Sequence, residues 1–181
     1  MKNLILIRHA KSSWDDPSLT DRERPLNNRG KRDAPAMGLL LREKGLLPDH
    51  ILSSPAKRAL KTAKMIAEEI DYPKKRIEVN EDIYEQDINA LIEIIGKLDD
   101  GLKCVCLIGH NPELTDLVNR LTGVGIDNVP TCGIVSVEFS LSSWMDCALK
   151  GGKLAMFERP AKPKPGTYSG EELQDTDIIG T

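Results

Sequence analysis

The chain has 181 residues, of which 40% are hydrophobic and 29% charged, a balance typical of one soluble globular domain. Its formal net charge of −3 lacks the basic surplus of nucleic-acid-binding proteins. The apolar run near the start, Leu4 to Ile7, ends at Arg8 and is too short for a signal-peptide core or a membrane span. We therefore expect a cytoplasmic protein that binds neither nucleic acid nor membranes.

Apolar runs and helical spacing alternate along the chain. In chain order the predicted elements are a strand at 3–7, a helix at 28–44, a strand at 50–53, a helix from Pro55 to about Ile70, a strand at 76–79, a helix after Asp87, a strand at 104–108, a helix at 113–121, and strands at 134–139 and 154–157. Strands that alternate with helices predict an α/β fold, a three-layer sandwich whose central sheet is mostly parallel and flanked by helices.

Local signals refine three of these boundaries. Gly45 predicts the end of the first helix, whereas Pro35 within it predicts that this helix starts late or bends. Ser54 and Pro55 have the residue types of an N-cap and a first helical residue, so the second helix is expected to begin there.

The composition changes near residue 160. Residues 160–170 contain three prolines together with Gly166 and Gly170, a composition typical of linkers. The acidic side chains that follow, without any Lys or Arg, are Glu171, Glu172, Asp175 and Asp177. We therefore predict one domain over residues 1–160 and a flexible C-terminal tail over 161–181, first Pro/Gly-rich and then acidic.

Cysteine and histidine spacing gives no sign of a metal or a cofactor. Cys104 and Cys106 lie on the same face of one predicted strand, but an extended backbone holds them too far apart for a disulfide. His9, His50 and His110 lack the spacing of metal ligands, and the chain contains neither a Walker-type phosphate loop nor a complete GxGxxG. We expect reduced thiols, no metal and no cofactor.

Cationic and imidazole side chains follow three predicted strands. Arg8 and His9 follow the first, Arg58 lies in the first turn of the helix after the second, and His110 follows the strand at 104–108. Because the carboxyl ends of parallel strands lie along one edge of a sheet, these residues can converge. Together with a helix N-terminus they would suit a doubly charged anion, and phosphate is the natural candidate.

Each of these residues also has a structural interpretation. An Arg-His pair after a strand is usually exposed, and a Gly-His at a strand end is more often structural than catalytic. Arg58 is unfavourable beside the positive end of a helix dipole, so its position asks for a functional reason. His50 lies at the opposite end of its strand, and we assign it a structural role.

The motifs resemble those of a known family. The segment Leu6–Ser12 resembles the RHG signature of the histidine phosphatase superfamily, also called phosphoglycerate mutase-like, with Ala10 in place of the usual glycine. Residues 52–63 resemble its second motif and residues 109–113 its third, and the Arg-Pro-Leu segment at 24–26 is similar to that of short SixA-type phosphohistidine phosphatases.

This resemblance implies roles for individual residues. His9 would be the nucleophile, while Arg8, Arg58 and His110 would bind the phosphoryl group and stabilise its transition state. Arg24 would help to line the pocket.

Three further residues are weaker candidates. Ser12 and Asp15 fall in the loop that contacts phosphate in relatives, although a carboxylate facing phosphate is unfavourable unless Asp15 turns toward an arginine. Glu85 lies near the position where larger relatives carry a general acid, and its alternative is a solvated loop carboxylate. A weak or absent acid would favour phosphohistidine, whose imidazole leaves readily, over an alkyl phosphate ester.

Three functions stay open from the sequence. The first is a metal-independent phosphatase that removes phosphate from phosphohistidine in a signalling or phosphotransfer protein. The second is a phosphatase of small phosphorylated metabolites with the same four central residues. The third, a non-catalytic phosphoprotein-binding module, would be indicated by loss of His9 or an arginine, and neither is lost.

Overall fold

One six-stranded sheet organises the structure, a computed structural model that describes residues 1–162. Its strands are β1 Lys2–Arg8, β2 His50–Ser53, β3 Glu78–Val79, β4 Cys104–Gly109, β5 Ile134–Phe139 and β6 Lys153–Glu158. They lie in the order β3-β2-β4-β1-β5-β6. Strands β1 to β4 are mutually parallel, whereas β5 is antiparallel to β1 and β6 is antiparallel to β5. The predicted α/β class with a mostly parallel sheet is confirmed.

Helices cover both faces of this sheet. The α-helices within residues 1–162 are α1 Asn28–Glu43, α2 Lys57–Glu69, α3 Ile88–Gly96, α4 Glu113–Thr122 and α5 Cys147–Lys150. Side chains alternate along β1, so Leu4 and Leu6 pack with α3 and α4, while Ile5 and Ile7 pack with α1 and α2. All four side chains are fully buried, which makes β1 the centre of a three-layer sandwich.

The parallel strands end at one level. Arg8 of β1 lies beside Gly109 of β4, and Ser53 of β2 lies beside Ile108 of β4. The residues that leave β1, β2 and β4 therefore emerge at the same sheet edge, as the sequence predicted.

The starts of the first two helices test the predictions made from Pro35 and from Ser54 and Pro55. Helix α1 begins at Asn28 although Pro35 lies inside it, because the Asn27 side chain accepts a hydrogen bond from the Gly30 amide and caps the first turn. Of the two alternatives predicted from Pro35, a late start or a bend, the late start is wrong, and the helix begins at the predicted residue 28. Helix α2 begins at Lys57 and not at Pro55, since the Ser54 hydroxyl bonds the amide of Ala56, in the turn before the helix.

No helix or strand was predicted around Trp144, but the structure has two short helical segments there. A short 3₁₀ turn at Trp144–Asp146 leads into α5, and the Trp144 indole is fully buried. Its Nε1–H donates to the carbonyl of Leu102 at 3.2 Å. The 3₁₀ turn and α5 therefore cover the end of the α3–α4 layer that lies opposite the edge where the strands end.

Other predictions concern the thiols and the chain end. The four cysteines, all within residues 1–162, are free thiols in the structure. No α-helix of the described part of the chain has the length and apolar character needed to cross a membrane. The predicted tail lies outside the described residues apart from positions 161 and 162, so its flexibility and the domain boundary stay predictions.

Candidate active site

The ends of β1, β2 and β4 bring the predicted histidines together. The His9 amide donates to the carbonyl of Gly109 at 3.0 Å, which ties the residue after β1 to the end of β4. The rings of His9 and His110 have centroids 5.1 Å apart. Arg58 reaches both rings from the first turn of α2. The predicted convergence at the sheet edge is present in the structure.

The His9 ring is oriented by its own backbone and by Arg58. Its Nδ1 lies 2.8 Å from the Ala10 carbonyl, which can only accept, so Nδ1 carries the proton. Its Nε2 then has a free electron pair, toward which Arg58 Nε–H donates at 3.3 Å. The available pair is therefore on the nitrogen that faces the other site residues.

Burial keeps His9 uncharged. Only 8% of the residue is exposed, and this desolvation is the largest cause that lowers its pKa, to about 3. The bond to Ala10 opposes this shift, while the charges of His110, Arg58 and Arg8 add to it. Burial, and not the charge of the neighbouring arginines, therefore contributes most to the lowered pKa of His9.

Every nitrogen of the Arg58 guanidinium makes a hydrogen-bond contact. Nη1 donates to the backbone carbonyl of Asp21 at 2.6 Å, and Nη2 donates to the carboxylate of Asp21 at 3.0 Å. Nη2 also lies 3.4 Å from Nδ1 of His110. The residue is 5% exposed, which is low for an arginine and requires this pairing.

His110 is held between Arg58 and Ser54. Its Nε2 lies 2.7 Å from the Ser54 hydroxyl, while its Nδ1 accepts from Arg58. Burial is the largest cause that lowers the pKa of His110, to about 4; the charges of Arg58 and Arg8 act in the same direction and that of Asp21 opposes them. The ring is thus a neutral hydrogen-bond donor at physiological pH.

Arg8 approaches the site from the end of β1. Its Nη1 donates to the carbonyl of Val129 at 3.0 Å and lies 3.4 Å from the side-chain oxygen of Asn128. The amide of Asn111 contacts the same two acceptors, at 3.0 and 2.7 Å. The chain beyond α4 therefore fixes Arg8 beside the residue that follows His110.

Arg24, the residue expected to line the pocket, is a buried arginine beside the site. It is 7% exposed, its guanidinium lies 3.4 Å from the ring centroid of Trp14, and its Nε is 3.2 Å from Asp21. Its Nη1 is buried and has no hydrogen-bond partner within residues 1–162. An incoming anion would satisfy that group, and the role of Arg24 in lining the pocket stays a prediction.

The remaining candidates lie further out. Ser12 is buried and forms an isolated bridge with Leu26, and the exposed carboxylate of Asp15 accepts from the Ser13 hydroxyl at 2.6 Å instead of turning toward an arginine. Glu85 is exposed, at a φ of 57°, directly after Tyr84. None of these three shows a contact with the His9 ring.

Asp21 and Tyr84 were missed by the sequence reasoning. The Tyr84 hydroxyl donates to the Asp21 carboxylate at 2.9 Å, and the Tyr84 ring meets that of His110 edge-on with centroids 5.5 Å apart. Burial, followed by the carboxylates of Asp21 and Glu85, raises the pKa of Tyr84 to about 12. The only available signal for Asp21 was its place just before the Arg-Pro-Leu segment.

An open cavity of about 560 Å³ adjoins this group of residues. Its lining includes Thr20 and Arg22, the chain neighbours of Asp21, and Lys57, the neighbour of Arg58. Within residues 1–162 no group of three or more His, Cys, Asp or Glu side chains is arranged to hold a metal ion.

Comparison with known proteins identifies the family. Residues 4–97 match the model of the histidine phosphatase superfamily (branch 1). The chain belongs to this superfamily. An uncharacterised chloroplastic protein of Arabidopsis thaliana is 33% identical over 159 residues, which cover 83% of this chain and 72% of that protein.

Solved structures share the fold. A SixA protein from Nakamurella multipartitia has a TM-score of 0.79 at 20% identity and covers 89% of this chain and 97% of its own. The protein histidine phosphatase SixA complexed with tungstate has a TM-score of 0.73 at 22% identity, over 86% and 95% of the two chains. A mycobacterial glucosyl-3-phosphoglycerate phosphatase has a TM-score of 0.64 at 14% identity, over 86% and 98%. These likenesses establish the phosphoglycerate mutase-like fold.

Both site histidines are expected to stay neutral well below neutral pH. An ordinary imidazole gains its proton as the pH falls through about 6.5, whereas lowered pKa values near 3 and 4 delay protonation of His9 and His110 to more acidic solution. Ring resonances assigned with His9→Gln and His110→Gln variants, followed by NMR, should not titrate between pH 7 and about pH 5. A midpoint near 6.5 for His9 would contradict the burial argument.

Proposed function

We propose that this protein is a phosphatase that uses His9 as a nucleophile and passes through a phosphohistidine intermediate. The observation that carries the proposal is the buried His9 ring, whose Nδ1 is held on the Ala10 carbonyl while Nε2 faces Arg58. A neutral imidazole of fixed tautomer is ready to attack phosphorus without first losing a proton.

The first step transfers the phosphoryl group to the protein. The electron pair on His9 Nε2 forms a bond to phosphorus, and the bond from phosphorus to the leaving group breaks, with its electron pair departing on the leaving group. The guanidinium groups of Arg8 and Arg58 would neutralise the equatorial oxygens as charge builds on them, and His110 would join them once its one N–H turns from the Ser54 hydroxyl to a phosphoryl oxygen.

The second step regenerates the protein. Water attacks phosphorus and passes one proton to a phosphoryl oxygen, while the bond between phosphorus and Nε2 breaks, which returns the electron pair to His9 and releases inorganic phosphate. Since two guanidinium groups already carry positive charge at the site, we expect turnover to persist in a metal chelator.

The leaving group argues for phosphohistidine as the substrate. Its imidazole departs readily because its pKa lies near neutrality, whereas an alkoxide needs a general acid. The candidate acid Glu85 is exposed and is associated with the Tyr84 hydroxyl, outside the His9–His110 pair. The adjoining open cavity of about 560 Å³ has room for a side chain presented by a phosphorylated signalling or phosphotransfer protein.

Phosphatase activity on small phosphorylated metabolites is the second candidate. The observation in its favour is that Glu85 stands only one residue from Tyr84, whose hydroxyl contacts the Asp21 carboxylate on Arg58. The glucosyl-3-phosphoglycerate phosphatase with the same fold acts on a small molecule, as its name states. A binding module without catalysis is disfavoured, because the buried, neutral His9 serves attack and not anion binding.

A comparison of substrates tests the proposal. Catalytic efficiency, kcat/KM, would be measured in EDTA on a phosphohistidine-bearing protein and on a panel of sugar and nucleotide phosphates. We expect phosphohistidine to be preferred by at least about tenfold, a difference of about 1.4 kcal/mol in transition-state binding. Preference for a metabolite would select the second candidate, and dependence on added magnesium would contradict the metal-free mechanism.

Glu85→Gln separates the two leaving groups. If Glu85 lends a proton only where an alkoxide must leave, the variant should lose about 100-fold in rate on an alkyl phosphate ester and less than about threefold on phosphohistidine. Glu81→Gln, which removes a nearby carboxylate that pairs with Arg22, is the control and should affect neither rate. Equal losses on the two substrates would make Glu85 a structural or binding residue.

A further inference from the structure

We propose that Asp21 is a positioning residue that holds the Arg58 guanidinium where it serves His9 and His110. The inference rests on the proposed function and adds to it a residue that the motifs do not include. It is drawn from the hydrogen bonds of one residue to two different nitrogens of Arg58.

Asp21 contacts Arg58 through both its backbone and its side chain. The backbone carbonyl accepts from Nη1 at 2.6 Å and the carboxylate accepts from Nη2 at 3.0 Å, so the plane of the guanidinium is fixed. In that orientation Nε lies 3.3 Å from His9 and Nη2 lies 3.4 Å from His110. The same residue thus determines both contacts of Arg58 with the histidines.

The Asp21 carboxylate is itself held in place. The Tyr84 hydroxyl donates to its Oδ2 atom at 2.9 Å, and its Oδ1 atom lies 3.2 Å from Arg24 Nε. The 3₁₀ turn that carries it is closed by Glu23, whose carboxylate accepts from the amide and the hydroxyl of Thr20. The Asp21 carboxylate is therefore carried by a hydrogen-bonded turn and lies between Arg24 and Arg58.

Arg58 needs such a partner because its surroundings disfavour a cation. It lies in the first turn of α2, where the helix dipole is positive, and the charge of Arg24 is close enough for each arginine to repel the other. Partial burial raises the pKa of Asp21, but the Tyr84 hydrogen bond and the charges of Arg58 and Arg24 outweigh it and hold that pKa below its usual value. Asp21 thus stays ionised and supplies the missing counter-charge.

The alternative is that Asp21 occupies the phosphoryl site and must be displaced by substrate. The geometry favours positioning, because the shorter of the two bonds comes from the backbone carbonyl, which a phosphoryl group does not replace. The two interpretations predict opposite signs: loss of the carboxylate weakens anion binding if it positions Arg58, and strengthens anion binding if it competes.

The test compares Asp21→Asn with the wild type. Tungstate affinity would be measured by titration calorimetry, and kcat and KM would be measured separately on an aryl phosphate. We expect Asp21→Asn to lower kcat about 10- to 100-fold and to weaken tungstate binding about tenfold, because a misplaced cation serves the bound anion poorly. Asp21→Glu keeps the charge and should recover part of both losses.

Asp16→Asn is the matched control. It removes the same charge from the same loop, where the Asp16 carboxylate accepts only from Ser18 among the hydrogen bonds described, and it should change neither quantity. Unchanged kcat or tighter tungstate binding in Asp21→Asn would overturn the proposal. If Asp21→Asn does not fold, the wild type and Asp21→Glu are compared for the same two quantities. If the wild type hydrolyses nothing yet binds tungstate, the proposed function fails while the affinity comparison still judges Asp21.

Discussion

Replacing His9 with alanine is expected to lower kcat on phosphohistidine and on an aryl phosphate by on the order of 10⁴-fold or more. In the proposed mechanism the buried ring supplies the electron pair that attacks phosphorus, and no other side chain forms a bond to phosphorus in its place. Steady-state rates, with folding checked by circular dichroism, would measure the effect.

His50→Ala is the control for this loss. His50 lies at the opposite end of β2, where its Nε2 is 2.9 Å from the Glu78 carboxylate, so its removal should leave kcat within about twofold. A folded His9→Ala protein that retained a tenth of the wild-type rate would exclude His9 as the nucleophile.

Replacing Arg58 with alanine is expected to lower kcat/KM by about 100- to 1000-fold. Arg58 is the residue that touches both histidines, and its charge would oppose that of the phosphoryl oxygens. Arg58→Lys keeps the charge but loses the planar fork that bonds Asp21 twice, so we expect it to recover only part of the loss.

The control for Arg58 is an exposed arginine elsewhere. Arg42→Ala removes a cation from the end of α1, where Arg42 pairs with the exposed Asp71, and should leave kcat/KM unchanged. Equal rates for Arg58→Ala and wild type would contradict the geometry, and so would a loss confined to the melting temperature.

The sheet and the convergence of the four central residues could be predicted from sequence. Apolar runs at β1 and β4 signal strands buried on both faces, and a parallel arrangement of such strands brings Arg8, His9 and His110 to one edge. This inference needs only local periodicity and one topological rule. The contacts among the four side chains needed the structure.

Local rules failed where a side chain had a tertiary partner or a competing cap. Ser54 is a residue type that favours the N-cap position, but its hydroxyl accepts from the Ala56 amide and contacts His110. Helix α2 starts later, at Lys57. Pro35 lies within α1, which is capped at Asn27 all the same. The residues next to a helix start do not show which of these hydrogen bonds will form, so its exact position could not be predicted.

Asp21 and Tyr84 could not be found from the sequence. They are 63 positions apart, Asp21 at the start of one 3₁₀ turn and Tyr84 directly after another, and no periodic pattern of apolar residues marks either segment. Their hydrogen bond and the bonds from Asp21 to Arg58 exist only because two loops meet above the sheet edge. The burial that lowers the pKa of His9 also depends on how distant segments pack, so the sequence did not show it.

Trapping the intermediate tests the central claim most directly. Wild-type protein would be mixed with excess aryl phosphate and stopped within one turnover at alkaline pH, where phosphohistidine survives, and its peptides would be examined by mass spectrometry. We predict one phosphoryl group on His9, absent from His9→Ala and depleted when quenching is delayed until substrate is exhausted. A phosphoryl group on any other residue during turnover, or hydrolysis of substrate by His9→Ala at the wild-type rate, would contradict the account.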